Sequence, residues 1–213
     1  MTRHFRRSLA AAALATIPAH VLASEAASRP YRLVPAESSI RIHVGKTGLL
    51  KMFGHEHDVA ADAFSGEIDV VPADLCASHA SATFDARRLR VLPDDEPPDD
   101  VPKVQATMLG PQVLDAERFP QIVFTSTGCT VERVGPGGER VRLVGNLALH
   151  GHVKSVSVPL DVTLEQNRLV ARGTTTIRQT DFGIEPPSAG GGTVKAANEL
   201  GIHVALVARP APG

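Results

Sequence analysis

The chain has 213 residues, a net charge of -1, 43% hydrophobic residues and 21% charged ones. A charge balance this close to zero predicts no nucleic-acid partner, and none is expected. With no Trp, one Tyr and seven Phe, the single core that such a length supports has to be aliphatic.

The first elements are read from the amino terminus. Arg3, Arg6 and Arg7 precede an apolar run from Leu9 to Leu22, and Val21 and Ala23 fit the small-residue positions of a cleavage site. This pattern is that of a secretory signal peptide over residues 1–23. A membrane anchor is the competing reading, but the run is short and broken by Pro18, and a span needs about 20 apolar residues. No later segment is apolar enough to span, so no transmembrane segment is expected in the mature chain. That chain is expected to start near Ser24 and to work in a periplasm.

Beyond it, strand patterns dominate. "SSIRIHVG" places Ile40, Ile42 and Val44 on one face. "AFSGEIDV" places Phe64, Gly66, Ile68 and Val70 on one face and Ser65, Glu67 and Asp69 on the other. "ASATFDARRLRV" aligns Ala80, Ala82, Phe84 and Ala86. The same period of two runs through "QIVFTSTGCTVERV", "ERVRLVGNLALHGHV", "VSVPLDVTLEQ", "RLVARGTTTIRQ" and "LGIHVALVAR". Turn residues separate them at Gly135–Gly138, His150–Lys154 and Glu165–Arg168. One helix is predicted in "DDVPKVQATMLGP", with Asp99 or Asp100 as cap and Pro102 in the first turn. The acidic "LPDDEPPDD" before it is expected to be an exposed loop.

About eight antiparallel strands with short turns and one helical insertion favour an all-β closed barrel over a sandwich, because closure removes strand edges. Small inward residues (Gly66, Ala80, Ala82, Ala86, Gly145 and Gly173) leave volume that either a tight repacking or one apolar ligand fills. Inward candidates for touching such a ligand are Phe64, Ile68, Ala82, Phe84, Ile122, Phe124, Leu147 and Val204; ordinary core packing is the alternative for each.

Two residue types hold other chemistry. Cys76 and Cys129 are the only cysteines; in an oxidising compartment they pair as a disulfide on one reading and stay apart on the other, and they form no CxxC. His55 and His57 flank Glu56 in the connection between "SSIRIHVG" and "AFSGEIDV", and His150 and His152 repeat the H-x-H spacing in a turn. Imidazole suits zinc or copper, but a credible site needs a third ligand. The competing roles for His55 and His57 are backbone hydrogen bonding or contact with a polar head group at one end of the barrel. His43, His79 and His203 fall on outward faces. Catalysis has little support: H-x-H with an intervening Glu is not the helical HExxH spacing, no G-x-S-x-G is present, and "SAGGGTVK" lacks a phosphate loop's spacing.

Five motifs in order resemble the YceI-like family. They are "YRLVPAESSIRIHVG", "FSGEIDV", "VLDAERFPQIVFTST" with Pro120, Ile122, Phe124 and Ser126, "VGNLALHGHVKSVSVPL" with Gly145, Leu147, His150 and Gly151, and "TDFGI" at Thr180–Ile184. The histidine pair at His55 and His57 marks a variant of that pattern. The resemblance implies a lipocalin-like antiparallel barrel over residues 31–208, after a linker at 24–30 and before a tail at 209–213. It implies a periplasmic, non-enzymatic protein that encloses a long-chain isoprenoid or related fatty-chain lipid in an apolar cavity and needs no cofactor. A periplasmic metal-binding protein using His55/His57 and His150/His152 is the alternative, and a structural barrel with no fixed ligand is the third. Oligomeric state, a dimer included, is not set by the sequence.

Overall fold

The computed structural model describes residues 28–48, 56–93, 98–136, 138–189 and 193–212. The expected signal peptide at 1–23, most of the linker, and His55 lie outside the described residues. In chain order the elements are β1 (Arg29–Leu33), β2 (Ser39–Thr47), β3 (His57–Ala60), β4 (Phe64–Val70), β5 (His79–Asp85), β6 (Arg90–Val91), α1 (Val101–Leu109), β7 (Gln121–Gly135), β8 (Gly138–Leu149), β9 (His152–Glu165), β10 (Arg168–Arg178), β11 (Ser188–Ala189) and β12 (Val194–Pro210).

Eight strands close an antiparallel barrel in the order β1-β4-β5-β7-β8-β9-β10-β12, with β12 returning to β1 through Tyr31 opposite Pro210. The wall is not a plain meander, because β12 forks. Its last residues, Ala208 to Pro210, pair with β1, whereas Lys195 to Ala205 pair with β2, and β2 carries β3 and β6 outward as a second branch. A strand of 17 residues spans about 55 Å, enough to serve both branches, which part between Ala205 and Ala208; a register shift between Ala196 and Leu200 lies within the stretch paired with β2.

The alternation in the sequence places the faces. Along β4 the burial rises and falls with each residue, ending at Val70, which is fully buried. The helix begins and ends where its residues dictate: Asp100 stands at the cap position, Pro102 in the first turn, and the Gly110 N–H closes on the carbonyls of Ala106 and Thr107. The Asp100 carboxylate accepts from Lys103 Nζ at 2.8 Å instead of capping. Val101, Val104 and Met108, one stripe of the helix, pack on the core. Gln105 fixes the helix to the end of the second branch: its amide donates to Leu89 O and accepts from Val91 N–H, both at 2.8 Å, in the manner of a missing strand.

The interior divides in two. A lower cluster of Tyr31, Leu33, Val70, Val141, Leu160, Val162, Leu169, Ala171 and Ala208 fills one end. Cys76 and Cys129, joined in a disulfide with Cα atoms 5.0 Å apart, pack against it. An upper cluster that includes Ile40, Val59, Leu89, Val91, Leu114, Leu149, Phe182 and Ile184 lies under α1. Phe64, Val204 and Leu206 pack against both.

Candidate functional site

The upper half is hollow. A cavity of about 510 Å³ opens there, within the range usual for small-molecule sites. Its wall is built by strand alternation. Ile40, Ile42, Val44 and Lys46 take successive inward positions on β2, and Val59 and His57 stand opposite Ile42 and Val44 on β3. Phe84, Ile122 and Leu147 line it from β5, β7 and β8, Ile177 from β10, and Leu200 and Ile202 from β12. Helix α1 closes one side with Lys103, Val104, Thr107 and Met108. Among the described residues Gln179 is the one buried polar side chain, 4% exposed; its amide N–H donates to Ala197 O at 2.8 Å, within the register shift of β12.

The residues expected to meet a ligand therefore separate. Phe84, Ile122 and Leu147 line the cavity. Ile68 and Ala82 pack on the lower cluster, and Val204 packs on both clusters. Phe64 sits behind Phe84, ring centroids 5.5 Å apart. Phe124 lies over Gly145.

The hollow is also not where the small inward residues suggest. A side chain on Gly66 would meet Leu33 Cδ1 at 2.5 Å, one on Gly145 would meet the Phe124 ring, and one on Gly173 would strike the Pro159 carbonyl. Each of these three glycines is covered by a neighbour, so its missing volume is already filled. The cavity is bounded by large aliphatic side chains that stand apart.

The histidines part likewise. His57 faces the cavity. His150 and Gly151, with φ of 50° and 74°, form the two-residue turn between β8 and β9, where both positions require the left-handed conformation. The His150 Nδ1–H donates to Phe182 O at 3.1 Å and its ring meets Phe119 edge-on, while the His152 Nδ1–H donates to His150 O at 3.0 Å. The His150 bond ties the β8–β9 turn to the Gln179–Phe182 turn, so the "HG" and "TDFG" segments meet in the fold. On the outer face His43 Nδ1 lies 2.9 Å from Asp58, and His203 Nδ1 lies 3.1 Å from the Thr174 hydroxyl. Among the described residues no three His, Cys, Asp or Glu side chains are gathered as a metal site, and no helix is long and apolar enough to cross a membrane.

Sequence reasoning missed α1 as a cavity wall and the lysines at its mouth. The available signal was the continuation of the "IRIHVGK" alternation to Lys46.

No curated protein matches the chain in sequence. Among solved structures, BcnA of Burkholderia cenocepacia superposes with a TM-score of 0.62 at 21% identity, over 82% of this chain and 98% of that one. A polyisoprenoid binding domain from Saccharophagus degradans, implicated in plant cell wall breakdown, gives 0.60 at 14% identity over 85% and 98%. The YCEI protein of Campylobacter jejuni gives 0.55 at 13% identity over 72% and 85%. These likenesses show the shared fold. The YceI-like domain matches residues 31–208, and the chain belongs to the YceI-like family.

Proposed function

We propose that this protein binds one long-chain isoprenoid or related lipid, holding the apolar tail in the upper cavity without catalysing a reaction on it. The observation that carries this reading is the cavity itself: about 510 Å³ lined mainly by aliphatic side chains and Phe84. An apolar tail entering it gains about 25 cal/mol per Å² removed from water, and the wall needs no polar partner except at the mouth. Phe84, Ile122 and Leu147 are the expected residues that hold the tail. The Saccharophagus degradans domain, which shares the fold, is described as polyisoprenoid binding, and this supports the reading.

We also propose that the protein is exported to the periplasm. The support is Arg3, Arg6 and Arg7 before the apolar run Leu9–Leu22. Cell fractionation with amino-terminal sequencing checks this, and a mature protein beginning near Ser24 is the expected result.

The binding test is mass spectrometry of organic extracts from protein purified without detergent. A long-chain lipid at about one per protein is expected. Protein that carries no lipid and takes up no Nile red into its interior would overturn the reading.

A further inference from the structure

The charged groups at the cavity are of one sign. Lys46, Lys103 and Lys195 border it together with His57, and among the described residues no aspartate or glutamate does. The chain has five lysines and seventeen arginines. Three of those lysines are at the cavity, and among the described residues no arginine is. Several arginines meet carboxylates on the outside: Arg90 with Asp62, Arg140 with Asp161, Arg178 with Glu199 and Arg209 with Glu37. Of the other lysines, Lys154 is exposed on β9 and Lys51 lies outside the described residues.

Their placement follows the wall. Along β2 the inward positions run Ile40, Ile42, Val44, Lys46, so the wall turns from apolar to cationic over about 20 Å. His57 is opposite Val44. Lys103 comes from the first turn of α1, on the helix face that also carries Thr107. Lys195, opposite Thr47, stands at the outer lip. Lysine suits this position because its stem can cover apolar wall while the ammonium stays in water, and because its point charge accepts an anion of any shape. The Lys103–Asp100 pair is exposed, with side chains 74% and 44% accessible. Such a pair contributes little in water and can exchange for a ligand anion.

We propose that the amphiphile held here is anionic: one apolar chain ending in a phosphate or carboxylate, the tail in the cavity and the head group among Lys46, Lys103 and His57, with Lys195 at the lip. This rests on the lipid-binding reading above and adds the charge of the head group.

The test uses delipidated full mature protein and displacement of Nile red by matched pairs, geranylgeranyl phosphate against geranylgeraniol and palmitate against hexadecanol, below their aggregation limits. In at least one pair the anionic member is expected to bind about ten-fold tighter at low salt, with the advantage shrinking as salt is added. Whichever pair shows it identifies the head group. The Lys46→Gln/Lys103→Gln double variant, with its fold checked by thermal melting, should lose that advantage, so that the two members of each pair bind alike. Equal binding of both members of each pair, or an advantage that survives the double variant, overturns the anionic assignment and leaves lipid binding standing. Displacement by neither member of either pair counts against the lipid reading itself. Millimolar inorganic phosphate should leave binding unchanged; full competition by it would show a site for a free anion and overturn the amphiphile assignment.

Discussion

The ring of Phe124 lies over Gly145 on the neighbouring strand. A Cβ at position 145 would come within 2.5 Å of Phe124 Cε2 and 2.7 Å of Thr125 O, contacts that a side chain cannot make without moving backbone. Gly145→Ala is therefore expected to cost about 1–3 kcal/mol, read as a lower urea midpoint. Gly128→Ala, in the same strand as Phe124 but with nothing within 4 Å of the added carbon, should leave the midpoint unchanged or raise it. Equal effects of the two would show that the Phe124 ring does not occupy this space.

The hollow and packed halves predict opposite responses to added bulk. Ala82→Phe enters the packed half and should cost about 1–3 kcal/mol or more, while folded protein keeps whatever lipid the parent retains. Ile122→Trp enters the cavity and should change stability by less than about 1.5 kcal/mol while sharply reducing retained lipid. Urea titration together with lipid extraction from both variants checks the pair. Destabilisation by Ile122→Trp as large as that by Ala82→Phe would count against the hollow.

The separation of these two residues shows what the sequence could and could not reveal. Ile68 and Phe84 have the same inward phase in their strands, and alternation identified both as inward. Whether an inward residue lines a hollow or a plug depends on depth along the barrel, and on which side chains from non-adjacent strands arrive at that depth. Ile68 and Ala82 pack on the lower cluster, whereas Phe84 and its cross-strand partner Ile122 line the cavity together with Leu147. The helix was legible because Asp100, Pro102 and Gly110 mark its ends. The first half of β12 was not, since "VKAANE" has no period of two: the register shift between Ala196 and Leu200 breaks it.

The disulfide closes a loop spanning 53 residues and packs at the end of the barrel remote from the cavity. Constraint of the unfolded chain by a loop of that length is worth up to about 4 kcal/mol. Cys76→Ala/Cys129→Ala is expected to lower the urea midpoint by an amount corresponding to about 2–4 kcal/mol, with lipid retention at low denaturant unchanged. Loss of retention in variant protein that is still folded would show that the two ends of the barrel are coupled.

The acid side of the stability profile should depend on Glu37. Arg209 donates to both of its carboxylate oxygens at 2.9 Å, and Arg168 lies nearby. The hydrogen bonds from Arg209, with the charge of both guanidinium groups behind them, hold the Glu37 carboxyl below its ordinary value of 4.5 against a smaller opposing effect of desolvation. A carboxyl lowered in the folded state adds stability above its unfolded value, and that stability is lost as pH falls through the folded one. The urea midpoint of the wild type should therefore drop below pH about 4.5, and Glu37→Gln should lower the midpoint at pH 7 and flatten this part of the drop. An unaltered acid limb in Glu37→Gln would remove Glu37 from the account.

The fork in β12 has a consequence for how the molecule assembles. One strand is partner to β10 from Glu199 to Ala208, to β2 over its first part and to β1 at its end. Until it docks, those three strands have open edges, and the ladder from Tyr31 to Pro210 joins residues far apart in the chain. Contacts of such long range make folding slow, because chain closure has to be achieved before the pairing rewards it. β12 thus acts as a keystone, and the chain ahead of it stays adhesive until it arrives.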